Sequence, residues 1–117
     1  MKKLTDDQMD YFLKNKEFGA DVIEAASNTA VVLTQDWCPQ WTAMKRYLAD
    51  LPESEAAVFF IEYNREPRGN EYMHAKETVF KNDLIPYVRY YKNGRCFADS
   101  NFVFRDDFLD FFRNRND

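Results

Sequence analysis

The chain of 117 residues is poor in the residues that build flexible or cross-linked structure. It has only 3 glycines and 4 prolines, so a long flexible linker is not expected. Its two cysteines, Cys38 and Cys96, lie far apart and cannot form a dense disulfide framework. No run of about 18 apolar residues occurs, so the sequence predicts no membrane-spanning helix.

Charge and histidine content exclude further classes of protein. The formal net charge is −4, and such a surface repels phosphates, so nucleic-acid binding is not expected. The single histidine, His74, belongs to no set of residues with metal-ligand spacing, and no phosphate-binding glycine motif occurs, so we expect neither a metal nor a cofactor. The N-terminal lysines precede no apolar stretch, which argues against a secretory signal and favours a cytoplasmic protein.

What the chain does contain is apolar and aromatic. Hydrophobic residues make up 45% of it and aromatic residues 17%, enough for one core. The length and this composition predict a single domain over residues 1–117. Nothing in the sequence indicates an oligomeric state.

Local signals predict the first elements. Thr5 and Gln8 have the spacing of a capping box, and helical periodicity follows, which predicts a helix over Thr5–Lys16. A second, short helix is predicted over Asp21–Ala26. The β-branched run Ala30–Thr34 predicts a strand buried on both faces, in the middle of a sheet.

The rest of the chain continues this alternation. Pro39 suits the first turn of a helix that opens at Cys38, and Asn93-Gly94 is a strong hairpin signal. Period-2 alternation around Arg89 predicts a strand in a less enclosed place in the sheet. The predicted elements are the helix from Cys38, strand 58–63, helix 69–81, strand 87–91, strand 95–98 with a possible continuation at 102–104, and a helix from Asp106 to about Asn114.

Two segments carry a resemblance to a known family. Asp36-Trp37-Cys38-Pro39-Gln40-Trp41 lies between the buried strand and the next helix, and Ile85-Pro86 opens the hairpin. In element order over roughly residues 18–114, and in these segments, the chain resembles the thioredoxin superfamily. The resemblance implies an α/β thioredoxin-like fold, with a central mixed β-sheet flanked by helices and with an extra N-terminal helix.

The resemblance also implies site residues. Cys38 would be the catalytic cysteine, and Pro86 would stand at the superfamily's cis-proline site. The substrate-binding residues would be Trp37, Pro39, Gln40, Trp41, Ile85 and Pro86.

The chain departs from the family at several functional positions. Trp41 replaces the second cysteine of the family motif, and Val32 replaces its buried acid. The lysine that the family carries on the next strand is missing from 58–63. Pro39 is more like glutaredoxins, but the glycine pair with which they hold glutathione is missing after Pro86.

The sequence is compatible with two functions. A helix start favours a thiolate at Cys38, although Asp36 opposes it, and a thiolate can exchange with a disulfide. One function is therefore monothiol exchange with a protein disulfide or a small-molecule thiol, resolved by an external thiol such as glutathione. The alternative is a redox-inactive module that binds a protein partner, in which Cys38 does nothing. Whether the protein is an enzyme stays undecided.

Several side chains have a second interpretation. Trp41 is either a core residue or a hydrophobic lid beside Cys38, and Trp37 is expected at the surface as a contact platform. Pro86 is alternatively an ordinary proline at the start of a strand. Cys96 is predicted to be a buried small hydrophobe, and His74 a surface or half-buried residue.

Overall fold

A computed structural model describes residues 1–113. It contains five strands, five α-helices and a 3₁₀ turn in these residues. In chain order they are β1 (Lys2–Lys3), α1 (Asp6–Asn15), α2 (Ala20–Ile23), β2 (Asn28–Thr34), α3 (Pro39–Ala49), β3 (Ala57–Glu62), the 3₁₀ turn (Tyr63–Arg65), α4 (Gly69–Val79), β4 (Tyr87–Lys92), β5 (Arg95–Ser100) and α5 (Arg105–Arg113).

The five strands form one mixed sheet in the order β1-β3-β2-β4-β5. Strand β2 runs parallel to β3 and antiparallel to β4, and β4 and β5 form the hairpin. The central position predicted for β2 is confirmed, and all of its residues after Asn28 are buried. Alternate side chains of β2 enter the two cores: Val31 and Leu33 lie on one face of the sheet, Ala30 and Val32 on the other.

Each face of the sheet is covered by helices. Phe12 of α1 and Tyr72 of α4 pack on the face that carries Val31. Met44 of α3 and Phe108 of α5 pack on the opposite face. Within residues 1–113, no helix has both the length and the apolar character needed to cross a membrane.

The predicted N-terminal helix is present, but a short strand precedes it. The amide of Gln8 donates to Thr5 Oγ1 at 3.1 Å, and the amide of Thr5 donates to Gln8 Oε1 at 2.9 Å, which completes the capping box. Strand β1 pairs with Phe59 and Phe60 of β3. Two exposed lysines carry no periodic signal, so this pairing was not predicted from the sequence.

Some predicted element limits were wrong. Helix α2 begins at Ala20 and ends at Ile23, and β5 runs on to Ser100. Residues 102–104 form a loop, not a further strand. The predicted end of the last helix at Asn114 lies outside the described residues.

Strand β4 is more enclosed than predicted. Its alternation suggested an open face, but Tyr87, Val88, Tyr90 and Tyr91 are all buried. The tyrosine hydroxyls are satisfied inside the protein: the Tyr91 hydroxyl donates to Glu17 at 2.6 Å, and the Tyr87 hydroxyl donates to a carboxylate of β5 at 2.9 Å. Because tyrosine combines an apolar ring with a polar tip, its pattern does not show whether a strand face is covered.

Candidate thiol site

Cys38 stands between the end of β2 and the first turn of α3. It is the N-cap residue, with extended backbone (φ −73°, ψ 118°), and Pro39 follows at a position that needs no N–H donor. Its carbonyl oxygen accepts the Thr42 amide at 3.0 Å. The residue is 5% exposed, and its thiol is free. The sulfur therefore lies at the positive end of a helix, close beneath the surface.

The second predicted segment meets Cys38 in space. Ile85-Pro86 lies in the loop between α4 and β4, and its peptide bond is cis. The Sγ atom of Cys38 is 3.9 Å from the carbonyl oxygen of Ile85, within reach of a weak S–H···O bond. Pro86 is buried, and its carbonyl oxygen accepts from Asn101 Nδ2 at 3.0 Å. The two segments on which the resemblance rests thus form one site.

Trp41, one turn into α3, is 0% exposed. Its Nε1–H donates to Glu62 Oε2 at 2.8 Å, and the same oxygen accepts from Lys45 Nζ at 3.0 Å. The indole packs beside Phe60, with ring centroids 5.8 Å apart. Of the two interpretations, core filling fits this geometry, because a buried indole offers a substrate no surface.

Three of the other predicted contact residues are exposed around Cys38. Trp37 is 64% exposed, as expected of a surface platform, and its Nε1–H donates to Gln35 Oε1 at 2.7 Å. Pro39 and Gln40 are also exposed. The indole of Trp37 is therefore held by a neighbour while its ring faces solvent.

The negative charge of Asp36 is paired. Arg65 Nη1 donates to Asp36 Oδ2 at 2.7 Å, and Asn64 Nδ2 donates to Oδ1 at 2.5 Å. The bond from Arg65, with that from Asn64 second, lowers the pKa of Asp36. Arg65 is 29 positions away in the chain, so the sequence suggested only the repulsion between Asp36 and a thiolate. The guanidinium offsets part of that repulsion.

Sequence reasoning missed two exposed apolar side chains, one in the loop before β4 and one in the loop before α5. Leu84, which precedes Ile85, and Phe104, which lies before α5, are both exposed large hydrophobic residues. Phe102 packs edge-on against Phe104, with ring centroids 4.9 Å apart. For the two phenylalanines the signal lies in 102–104, whose apolar pattern predicts a continuation of the strand.

Comparison with known proteins rests on three-dimensional structure. No protein-family profile matches the chain. No curated protein sequence matches it either. Among solved structures, thioredoxin f2 of Chlamydomonas reinhardtii matches with a TM-score of 0.65 and 15% identity, over 97% of this chain and 94% of that one. Thioredoxin O1 of Arabidopsis thaliana matches with a TM-score of 0.67 and 7% identity, over 96% and 94%. The chain has a thioredoxin fold.

A glutaredoxin shares the same fold more distantly. A mutated buckwheat glutaredoxin matches with a TM-score of 0.51 and 17% identity, over 82% of this chain and 78% of that one. Val32, which the sequence resemblance sets against a buried acid of the family, is fully buried. Among residues 1–113, no cluster of histidine, cysteine and carboxylate side chains could hold a metal ion, and His74 is exposed on α4.

The prediction for Cys96 was wrong, because this residue is exposed on β5. Strand β5 forms the edge of the sheet, so one side of Cys96 has no neighbouring strand. Cys96 pairs with Tyr91, which is level with Thr29 at the start of β2, whereas Cys38 follows the end of β2. The two thiols of this thioredoxin fold therefore lie at opposite ends of the sheet.

Proposed function

We propose that this protein carries out monothiol thiol–disulfide exchange through Cys38. The observation that supports this most is the site itself: Cys38 caps α3 beside the carbonyl oxygen of Ile85, while the residue one turn later is the buried Trp41. A helix start stabilises a thiolate, which is the attacking form of cysteine. With Trp41 in the core, no second thiol on α3 can release a bound substrate.

The proposed cycle has two steps. The Cys38 thiolate attacks one sulfur of a disulfide, the S–S bond breaks, and the other sulfur leaves as a thiolate. The product is a mixed disulfide between Cys38 and the substrate. An external thiolate then attacks this mixed disulfide, forms a disulfide with the substrate sulfur, and releases the Cys38 thiolate. The electrons that regenerate Cys38 come from the external thiol, for which glutathione or a second cysteine of the partner is suitable.

The surroundings of Cys38 suit a polypeptide substrate. Trp37, Pro39 and Gln40 adjoin Cys38 in the chain and are exposed, and the carbonyl oxygen of Ile85 contacts its sulfur. Exposed aromatic rings anchor partners, and an extended chain can pair with the Ile85 backbone. We therefore assign substrate contacts to Trp37, Pro39, Gln40 and the Ile85 backbone, which the buried Pro86 follows in the chain, with a protein disulfide as the main substrate and a small thiol as the resolving agent.

A second candidate is a binding module without turnover. The observation that favours it is the burial of Cys38, of which only 5% is exposed, together with the loss of the acid at Val32. In that case the surface around Trp37 would bind a protein partner, and binding would survive the replacement of the thiol.

The two functions separate in a trapping experiment. In a Cys96→Ala background, the folded protein is mixed with a disulfide-linked peptide rich in apolar residues, and separately with glutathione disulfide. Mass spectrometry should detect a mixed disulfide at Cys38, formed faster with the peptide. The matched control, Cys38→Ser with Cys96→Ala, should form none. If an adduct forms only after unfolding in urea, Cys38 is structural and the binding module is the better explanation.

A further inference from the structure

Lys76 occupies a place in the fold that lysine rarely takes. It is 0% exposed, and among residues 1–113 it is the only charged residue that is fully buried. It lies on the inward face of α4, on the same side of the helix as Gly69 and Tyr72. Lysine is almost never fully buried without a partner, so the contacts of this amine need an explanation.

The amine of Lys76 has one strong partner. Its Nζ donates to the carbonyl oxygen of Leu84 at 2.7 Å, and it lies 6.0 Å from the centre of the Tyr63 ring. No carboxylate of residues 1–113 forms an ion pair with it within 4.0 Å. Burial lowers its pKa, because removing an ammonium group from water disfavours the charged form.

Stability alone does not account for this residue. A buried amine without a carboxylate partner carries a desolvation cost, and an apolar side chain of similar volume would fill the same space without it. The one hydrogen bond that offsets this cost goes to the Leu84 carbonyl. The role of Lys76 therefore depends on what the segment with that carbonyl does.

The Leu84 carbonyl belongs to the segment that contacts Cys38. The next carbonyl along the chain, that of Ile85, lies 3.9 Å from the Cys38 sulfur. Residues 81–86 have no regular secondary structure, so side chains must hold this segment in place. Asn82 Oδ1 accepts a hydrogen bond from the Leu84 amide at 3.0 Å. Asn101 donates both to Asn82 and to the Pro86 carbonyl. The Lys76 amine donates to the Leu84 carbonyl.

We propose that Lys76 is a positioning residue for the thiol site: its buried amine holds the Leu84 carbonyl, so that the Ile85-Pro86 backbone faces Cys38 and the incoming substrate chain. This inference rests on the proposed exchange function and deepens it. A substrate that pairs with the Ile85 backbone depends on this segment, whereas a small disulfide needs access to the sulfur only. Lys76 should therefore matter for polypeptide disulfides and hardly at all for small ones.

The test compares two substrates in two variants. Lys76→Met keeps the side-chain volume and removes the donor, and Lys81→Met removes an exposed lysine near the same loop without touching the Leu84 carbonyl. In the Cys96→Ala background, the rate of mixed-disulfide formation is measured with the disulfide-linked peptide and with dithiodipyridine. We expect Lys76→Met to slow the peptide reaction roughly tenfold or more, as loss of a hydrogen bond from a charged donor implies. The dithiodipyridine rate should stay within about twofold, and Lys81→Met should change neither rate.

The outcomes distinguish a failure of this inference from a failure of the proposed exchange function. If the protein with native Lys76 reacts with neither disulfide, the exchange function fails, and the inference fails with it. If that protein reacts and Lys76→Met leaves the ratio of the two rates unchanged, only the inference is overturned. If Lys76→Met does not fold, as judged by urea unfolding, Lys76→Gln replaces it, because Gln keeps a donor that is one bond shorter. A slower peptide rate with an unchanged dithiodipyridine rate then supports positioning, and an unchanged peptide rate overturns it.

Discussion

The two free cysteines lie at opposite ends of one sheet, and their surroundings differ in almost every respect. At the Cys38 end, which comprises residues 35–41 and 82–86, the cysteine is buried at a helix start and faces a backbone carbonyl. At the hairpin end, residues 91–97, Cys96 is exposed on an edge strand, and its thiol donates to the Ala98 carbonyl at 3.5 Å.

The two cysteines differ both in exposure and in the groups around their sulfur atoms. Cys96 is accessible, yet partial covering of its sulfur raises the pKa of the thiol above its ordinary 9.0, and no helix start is nearby. Cys38 is barely accessible, and it stands at a helix start with its sulfur 3.9 Å from the carbonyl oxygen of Ile85. The cysteine at a helix start is thus the less exposed of the two.

The largest effect that we expect concerns tyrosines that are buried or half-buried, half of them on strand β4. Burial is the leading cause of a raised pKa in six tyrosines: Tyr47, Tyr63, Tyr72, Tyr87, Tyr90 and Tyr91. Because the folded pKa lies above the unfolded value of about 10, this stability is present below pH 10 and is lost as pH rises further. Between its unfolded and its folded pKa, each such tyrosine lowers the free energy of unfolding by about 1.4 kcal/mol per pH unit. We therefore expect cooperative unfolding above pH 10.

Urea unfolding from pH 8 to 11.5, combined with tyrosinate absorbance, tests this. The variant Tyr90→Phe removes one buried hydroxyl, which is paired with Ser100 at 2.8 Å, and should make the alkaline loss less steep. Stability that stays constant up to pH 11.5 would show that these hydroxyls are not protected by the fold.

The next effect concerns the two tryptophans on either side of Cys38. Trp41→Ala should lower the free energy of unfolding by about 3–5 kcal/mol, the range for large aromatic residues in a core. Trp37→Ala should change it by less than about 0.5 kcal/mol, because the ring is mostly exposed. Urea unfolding of the two variants makes the comparison. Equal losses would mean that Trp37 is packed in solution and is not a contact surface.

A third prediction concerns the reactivity of the Cys96 thiol. In the Cys38→Ser variant, Cys96 should react with iodoacetamide several-fold more slowly at pH 7.5 than it does in unfolded protein, because its raised pKa reduces the thiolate fraction. Its rate should go on rising above pH 9, where the rate in the unfolded protein levels off. Labelling followed over pH 6 to 10.5 measures this, with the protein in urea as the control. Fast labelling of folded Cys96 at neutral pH would remove the contrast between the two ends.

The smallest effect concerns Asp36 and Arg65. Since Arg65 lowers the folded pKa of Asp36 below its ordinary 3.8, the stabilisation is present above that value and is lost as pH falls through the folded pKa. Arg65→Gln should therefore weaken the acid dependence of unfolding slightly between pH 5 and 2. Arg46→Gln is the matched control, because Arg46 is exposed and forms no ion pair within residues 1–113. Identical acid curves for all three proteins would show that the pair has no effect.

Much of the Cys38 end could be predicted because its signals are local. Pro39 after Cys38 marks a helix start, and Trp41 with Met44 and Leu48 marks the buried stripe of α3. At the hairpin end, Asn93-Gly94 predicted the turn, and Asn93 and Gly94 indeed have positive φ angles. The exposure of Cys96 could not be predicted, since it depends on β5 being the edge strand and on the bulge opposite Tyr90 and Tyr91.

The sequence by itself determined the order of helices and strands from α1 onward, the helix start at Cys38 and the absence of a second cysteine near it. These follow from side-chain periodicity and capping, which act over a few neighbouring residues. Only the tertiary structure decided that Ile85 faces Cys38, that Arg65 pairs with Asp36 and that Lys76 is buried beneath Leu84. The physical reason is that such contacts depend on sheet register and helix packing, which bring together residues that no local pattern connects.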